Sequence, residues 1–341
     1  MHSMPARTFR VAIAGASSLR GKDLSALIAE RSFPANDLRL IDDDVAAGTL
    51  TEAGGEPAFI QAMAEDSFAG VDFAFFAGRP EFTLRHWEQA ARAGATVVDL
   101  SGAFVDLRES QPWIPALDGM VPPPKEISSG KLFFSPPAAT LVACTLAAAL
   151  GPLDPARLSI VFLQPVSERG AAGIEELESQ SVNLLRFQPI SQSVYDAQVA
   201  FNLLGRFGAE SREQLGGARA AISRGVARYL ASRGLGTAAI PAVQLVQAPV
   251  FYSYGFTAYA DVATQADSAV LERALAAIGV KVETGGTFPS NVSVAGESHI
   301  HVAHVEADPG VAHGWWLWGA ADNVRLAAAS ALRIAEKLIA S

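Results

Sequence analysis

The sequence predicts an α/β protein: a doubly wound parallel sheet of the Rossmann-like kind, followed by a second domain of α+β character. Three observations lead there. The chain starts with a strand, a glycine turn and a helix, in FRVAIAGASSLRGKDLSALIAE. Short apolar strands then alternate with helices to about residue 134, and beyond it the strand-like runs become longer and partly alternating.

Taken in order, Phe9 to Ala14 form a buried strand, and Leu24, Leu27 and Ile28 give the next segment an apolar stripe at helical spacing. Strands follow at Leu38 to Asp42, Asp72 to Gly78 and Ala95 to Gly102, with a helix from Arg79 that stops at Gly94 in the manner of a glycine cap. A proline-rich connector, IPALDGMVPPPKEISSG, marks a surface excursion near a domain edge. Leu158 to Val166, Ala242 to Val262 and His299 to Ala307 read as strands with an antiparallel face, and DNVRLAAASALRIAEKLIA reads as a closing helix. With 341 residues, 50% of them hydrophobic, two domains are expected at roughly 100–200 residues each.

The net charge is −9, and the 26 Lys and Arg residues form no basic run, which argues against nucleic acid and acidic membranes as partners. No apolar stretch approaches the ~18 residues of a membrane span. The single cysteine, Cys144, precludes an internal disulfide. The cytoplasm is therefore the expected location.

In GASSLRG, Gly15 and Gly21 frame a turn that could bring a backbone close to a pyrophosphate at a helix N-terminus. Ser17 and Ser18 lie between them, and Ser18 stands where the pattern has its middle glycine; its hydroxyl could donate to a phosphate, while its Cβ takes up space. A nucleotide site and a turn built only for packing both fit. Asp42, Asp43 and Asp44 follow the second strand, where an acidic residue suits a ribose hydroxyl and repels a 2′-phosphate; if a cofactor binds, NAD is favoured over NADP.

Several segments together resemble the aspartate-semialdehyde dehydrogenase family over nearly the whole chain. They are the glycine turn, VVDLSGAF (like VIDNSSAFR), SPPAAT (like NPNCST), LQPVSERGAAGIEEL (like Q-x-x-SGAG), QAPVFYSYG (like RVPVxxGHS) and ADNVRLAAA (like ADNLRKGAA). QAPVF is closer still to the Usg-like paralogues of that family. The resemblance implies a Rossmann-like dinucleotide-binding domain over 1–134, completed by the helix 321–341, and a catalytic-type dimerisation domain of the semialdehyde dehydrogenase type over 135–320. It also implies a nicotinamide cofactor, NAD or NADP, a homodimer, and a reductive chemistry of amino-acid biosynthesis that runs through a cysteine thioester.

The same resemblance shows what is missing. The family's nucleophilic cysteine falls on Ala138, its histidine on Tyr254, its substrate-carboxylate arginine on Gln247 and its phosphate arginine on Val105. A less secure alignment puts Ala218 and Ala221 at a substrate-holding glutamate and lysine. Thr140, Gln164, Ser167, Asp322 and Asn323 are retained; the resemblance places Gln164 near the nucleophile, and Asp322 and Asn323 near the nicotinamide. A structural role in hydrogen-bonded junctions suits all five equally.

Cys144 lies six residues into the helix that starts at Ala138, beyond the reach of its dipole and among apolar neighbours, so an inert thiol is expected. Ser135 and Thr140 have hydroxyls near the lost position, with no histidine in the local motif to act as base. His299 and His301 share one strand face without a third ligand at metal-binding spacing, so solvent exposure is expected and no metal is assigned.

Two functions remain open. One is a catalytically silent family member kept as a dimer, a ligand-binding protein or a partner for an unidentified protein. The other is an NAD(P)-dependent oxidoreductase acting on an aldehyde or oxo group without a thioester, with Tyr252 and Tyr254 as candidate proton donors. An active enzyme with its nucleophile elsewhere is a third, minor possibility.

Overall fold

The structure is a computed structural model that describes residues 7–43, 45–53, 56–124, 131–235, 240–262, 266–284 and 286–340. Two compact units emerge from its packing: Met1–Pro115 with Pro123–Pro137 and Ala327–Ser341, and Ala116–Pro122 with Ala138–Leu326.

The first unit contains β1 (Phe9–Ala14), α1 (Leu19–Glu30), β2 (Ala35–Asp42), β3 (Leu50–Ala53), β4 (Glu56–Phe59), β5 (Gln61–Ala62), β6 (Phe73–Phe76), α2 (Pro80–Arg92), β7 (Thr96–Asp99), β8 (Gln111–Pro112) and β9 (Leu132–Phe134). Its sheet runs β5-β2-β1-β6-β7-β9-β8, parallel at every pairing, while β3 and β4 form a separate hairpin. The strand order reverses at β1, so the ends of β1 and β6 flank the switch point at which doubly wound sheets bind ligands.

Both sheet faces are covered, which explains why β1 reads as an uninterrupted apolar run. Val11 and Ile13 pack with Leu24 and Leu27 of α1, and Ala12 and Ala14 face Phe76, Phe82 and Ala90 on the other side.

The second unit contains α3 (Ala138–Leu150), β10 (Pro155–Gln164), α4 (Gly170–Leu185), α5 (Leu215–Ser232), β11 (Ala242–Gln247), β12 (Tyr254–Val262), α6 (Ser268–Ala276), β13 (Lys281–Val282), β14 (His301–Ala307) and β15 (Gly314–Ala321). The last helix, α7 (Asn323–Ala340), begins there and continues into the first unit, where Ala328, Leu332 and Ile334 join the core.

The second sheet, β11-β10-β12-β15-β14-β13, is mixed: its centre is antiparallel, and the pairings at both edges are parallel. The run expected as one strand from Ala242 to Val262 is two strands, β11 and β12, lying on opposite sides of β10. The chain turns between them through Ser253, a residue at φ +67. Among the described residues, no helix is long and apolar enough to cross a membrane.

Candidate functional site

In the first unit the glycine turn has the geometry of a fingerprint turn. Gly15 sits at φ +86, and a Cβ there would lie 2.3 Å from the Gly78 nitrogen, so only glycine lets β1 end against β6. A Cβ on Gly21 would lie 2.4 Å from the Gly15 oxygen, which makes Gly21 the residue that allows α1 to pack close to its strand.

Ser18 is not available to a phosphate in the way its hydroxyl suggested. It caps α1 by accepting from the Gly21 amide at 3.0 Å, and it spends its only proton on the Ala77 carbonyl at 2.9 Å. Asp42, at the end of β2, accepts from the amides of Ser17 and Asp43 at 2.8 and 2.9 Å. Leu19 and Arg20 open α1, and such positions have no carbonyl one turn earlier to bond.

The turn therefore fits a dinucleotide through its backbone and Asp42 rather than through Ser18. The acidic cluster is also less repulsive than its sequence implies. Arg79 is 3.6 Å from Asp43, and Asp44 lies outside the described residues.

In the second unit, Ala138 opens α3, a helix whose thirteen residues are all buried, Thr140 among them. Cys144 is fully buried, and desolvation pushes its thiol pKa far up, away from the thiolate. Tyr254 is 3% exposed and meets the Phe162 ring edge-on, with ring centroids 5.5 Å apart. Tyr252 is half-exposed.

Gln247, with no exposed surface, donates to the carbonyls of Gln164 and Ala248 at 2.9 and 3.0 Å. It accepts from the Gln164 amide at 3.2 Å, so the two glutamines staple the ends of β10 and β11. Val105 belongs to the first unit, in a 3-10 turn (Ala103–Asp106) built on buried Asp99, which accepts from the amides of Ser101 and Phe104.

Three further retained polar residues are likewise committed. Asn323 accepts from the Ser167 hydroxyl at 3.1 Å and the Ser253 amide at 3.0 Å, and it donates to Glu168 at 3.0 Å. Asp322 caps α7 through the amides of Val324 and Arg325, both at 2.9 Å, and its other oxygen accepts from the Gly296 amide at 2.8 Å. Ala218 and Ala221 lie on α5.

The histidines differ from the expectation of solvent-facing strand residues. His299 precedes β14, and His301 opens it with its ring buried and Nδ1 2.8 Å from Glu283. Among the described residues, no group of three His, Cys, Asp or Glu side chains is placed to hold a metal ion.

Arg169 ends the turn Val166–Arg169 and has a side chain 9% exposed, ion-paired to Glu213 and lying over the Phe207 ring. Desolvation lowers its pKa, against the pull of Tyr195, Glu168 and Tyr254. The available signal was a charged Glu-Arg pair inside SERGAAG, where the family pattern reads SGAG.

Comparison with known proteins is consistent over the chain's length. Residues 10–116 match the family profile described as the NAD binding domain of semialdehyde dehydrogenase, and residues 146–326 match its dimerisation domain. A USG-1 protein homologue from Pseudomonas aeruginosa is 32% identical, covering 96% of this chain and 97% of the relative. The structure of a probable aspartate-semialdehyde dehydrogenase from Pseudomonas aeruginosa is 30% identical, with a TM-score of 0.82 over 98% of this chain and 99% of that one. Aspartate semialdehyde dehydrogenase II from Vibrio cholerae, in complex with ASA, is 25% identical, with a TM-score of 0.85 and the same coverage.

Proposed function

The chain belongs to the semialdehyde dehydrogenase family, and from that premise we propose that it is a member without the family's thioester chemistry, kept as a nucleotide-binding dimer whose second unit holds a ligand or partner. The observation that carries this reading is Ala138. It stands where the resemblance puts the nucleophile, at the start of a helix that would activate a thiolate, and the only thiol in the chain is buried further along the same helix. Tyr254, Gln247 and Val105 at the other three positions support it. Removing a nucleophile alone costs about 10⁶ in kcat in other enzymes.

The nucleotide is placed on the turn Gly15–Gly21 with Asp42 at the ribose, and NAD is preferred to NADP, an acidic preference that Arg79 tempers. When bound, a nicotinamide dinucleotide would supply hydride chemistry; the residues of this chain would hold its pyrophosphate and ribose. Asp322 and Asn323, expected near the nicotinamide, are assigned to holding the start of α7. We retain 1–134 with 321–341 as the dinucleotide-binding domain, 135–320 as the dimerisation domain, and the cytoplasm as the location.

Dimerisation is supported by large apolar side chains left exposed around the end of α4, Leu185 at 72% and Phe187 at 98%. The test is turnover of aspartate semialdehyde with phosphate and NAD or NADP, against heat-killed protein. No turnover is expected; saturable turnover would end this reading.

A further inference from the structure

Arg169 is a buried charge that the proposed function leaves without a task. The turn that carries it is fastened firmly. The amides of Val166 and Ser167 donate to the carbonyls of Val250 and Phe251 at 2.9 and 3.0 Å, and the Asn323 side chain ties Ser167, Glu168 and Ser253 together. The guanidinium lies 5.1 Å from the centre of the Phe207 ring, and its Nη1 meets the carboxylate of Glu213, a side chain 65% exposed. Its Nε and Nη2 are buried and have no hydrogen-bond partner among the described residues.

Those two nitrogens form one edge of the planar group. Their N–H bonds run side by side, in the fork that takes both oxygens of a carboxylate at once. Glu213 thus holds the arginine by its other end and leaves the fork unused. A desolvated cation with idle donors is costly to keep, and such costs are typical of binding sites.

The surroundings suit a ligand too. Ser253 has no exposed surface, its hydroxyl is without a partner among the described residues, and its backbone is held at φ +67 by the same Asn323 amide. It adjoins Tyr254, which acts electrostatically on Arg169 and meets the Phe162 ring edge-on.

We propose that Arg169 anchors a carboxylate-binding site in the second unit, which takes a small carboxylic acid anion side-on through Nε and Nη2 in place of the arginine missing at Gln247. The proposal deepens the preceding reading and rests on it: the emptied dehydrogenase site is kept for a ligand that it does not transform. Glu213 stays on Nη1, outside the fork, at the rim.

The full chain is titrated calorimetrically with succinate at constant ionic strength, beside the uncharged succinamide and inorganic phosphate, and the same is done for Arg169→Lys, Arg169→Met and Glu213→Gln. Lysine keeps the charge and loses the fork. Saturable succinate binding is expected, weakened about tenfold or more by Arg169→Lys, abolished by Arg169→Met, and undiminished by Glu213→Gln. Succinamide should not bind. Equal succinate affinity in Arg169→Lys overturns the proposal, and so does phosphate binding without succinate binding, or no binding of succinate to the folded parent protein. If Arg169→Met does not fold, the other two variants decide. Turnover of aspartate semialdehyde would sink the silent-enzyme reading whatever succinate does, whereas no turnover together with no succinate binding sinks the carboxylate site alone.

Discussion

Replacing Asn323 by alanine separates a structural role for this residue from a cofactor-binding one. Alanine is an excellent helix former, so the first turn of α7 should not suffer. What is lost is the three-way hydrogen-bond hub: the Ser167 hydroxyl, the buried Ser253 amide and the Glu168 carboxylate all lose a partner. Two neutral bonds at about 1 kcal/mol each and one to a charged group at about 1.5–3 kcal/mol give roughly 4 kcal/mol. For a unit of this size, about 2–4 °C per kcal/mol turns that into a fall in melting temperature of roughly 10 °C. Differential scanning calorimetry reads the fall directly, and NADH titration at a temperature where the variant stays folded should give an unchanged affinity. A fall below about 2 °C accompanied by lost NADH affinity would refute the reasoning and return Asn323 to the cofactor.

Three further outcomes are expected. Cys144 should ignore a thiol reagent in native protein and react fully in denaturant; rapid native labelling would contradict its burial. Asp42→Ala should lower stability by about 3 kcal/mol, because two amides lose a charged acceptor, and calorimetric titration should show NAD affinity falling while NADP affinity holds. Leu185→Glu combined with Phe187→Glu should convert a dimer into a monomer by light scattering; an unchanged mass would place the interface elsewhere.

The fold was legible wherever a segment's period and its burial agree. β1, with both faces covered, read correctly as an unbroken apolar run, and the Gly94 stop and the α7 periodicity were equally plain. The division of Ala242–Val262 into two strands was hidden because its break at Ser253 depends on φ +67 in a serine, held by a tertiary bond to Asn323. Strand β15, GWWLWGAA, was missed because its tryptophans and glycines do not alternate cleanly, and the β3–β4 hairpin because it is short and outside the main sheet.

At the candidate site, side-chain identity was readable and side-chain commitment was not. The sequence leaves Gln164, Ser167, Asp322 and Asn323 open to either role, and only their partners reveal how fully each is bonded. Ser18 is open to either role in the same way, and its proton goes to a carbonyl 59 residues away. Arg169 lay in plain view, yet its importance comes from burial, which a turn in SERGAAG does not announce.

The reading proposed, that the family frame persists here without its thioester chemistry, is tested most directly by single-turnover kinetics with the protein in excess. Purified protein is mixed with a smaller amount of aspartate semialdehyde, with phosphate and NAD or NADP, and the absorbance of the reduced nicotinamide is followed for hours. A trace indistinguishable from heat-killed protein is the predicted result. A protein-dependent exponential rise with either nucleotide would contradict the account, because it would mean that Ala138 and Tyr254 do not mark a lost active site.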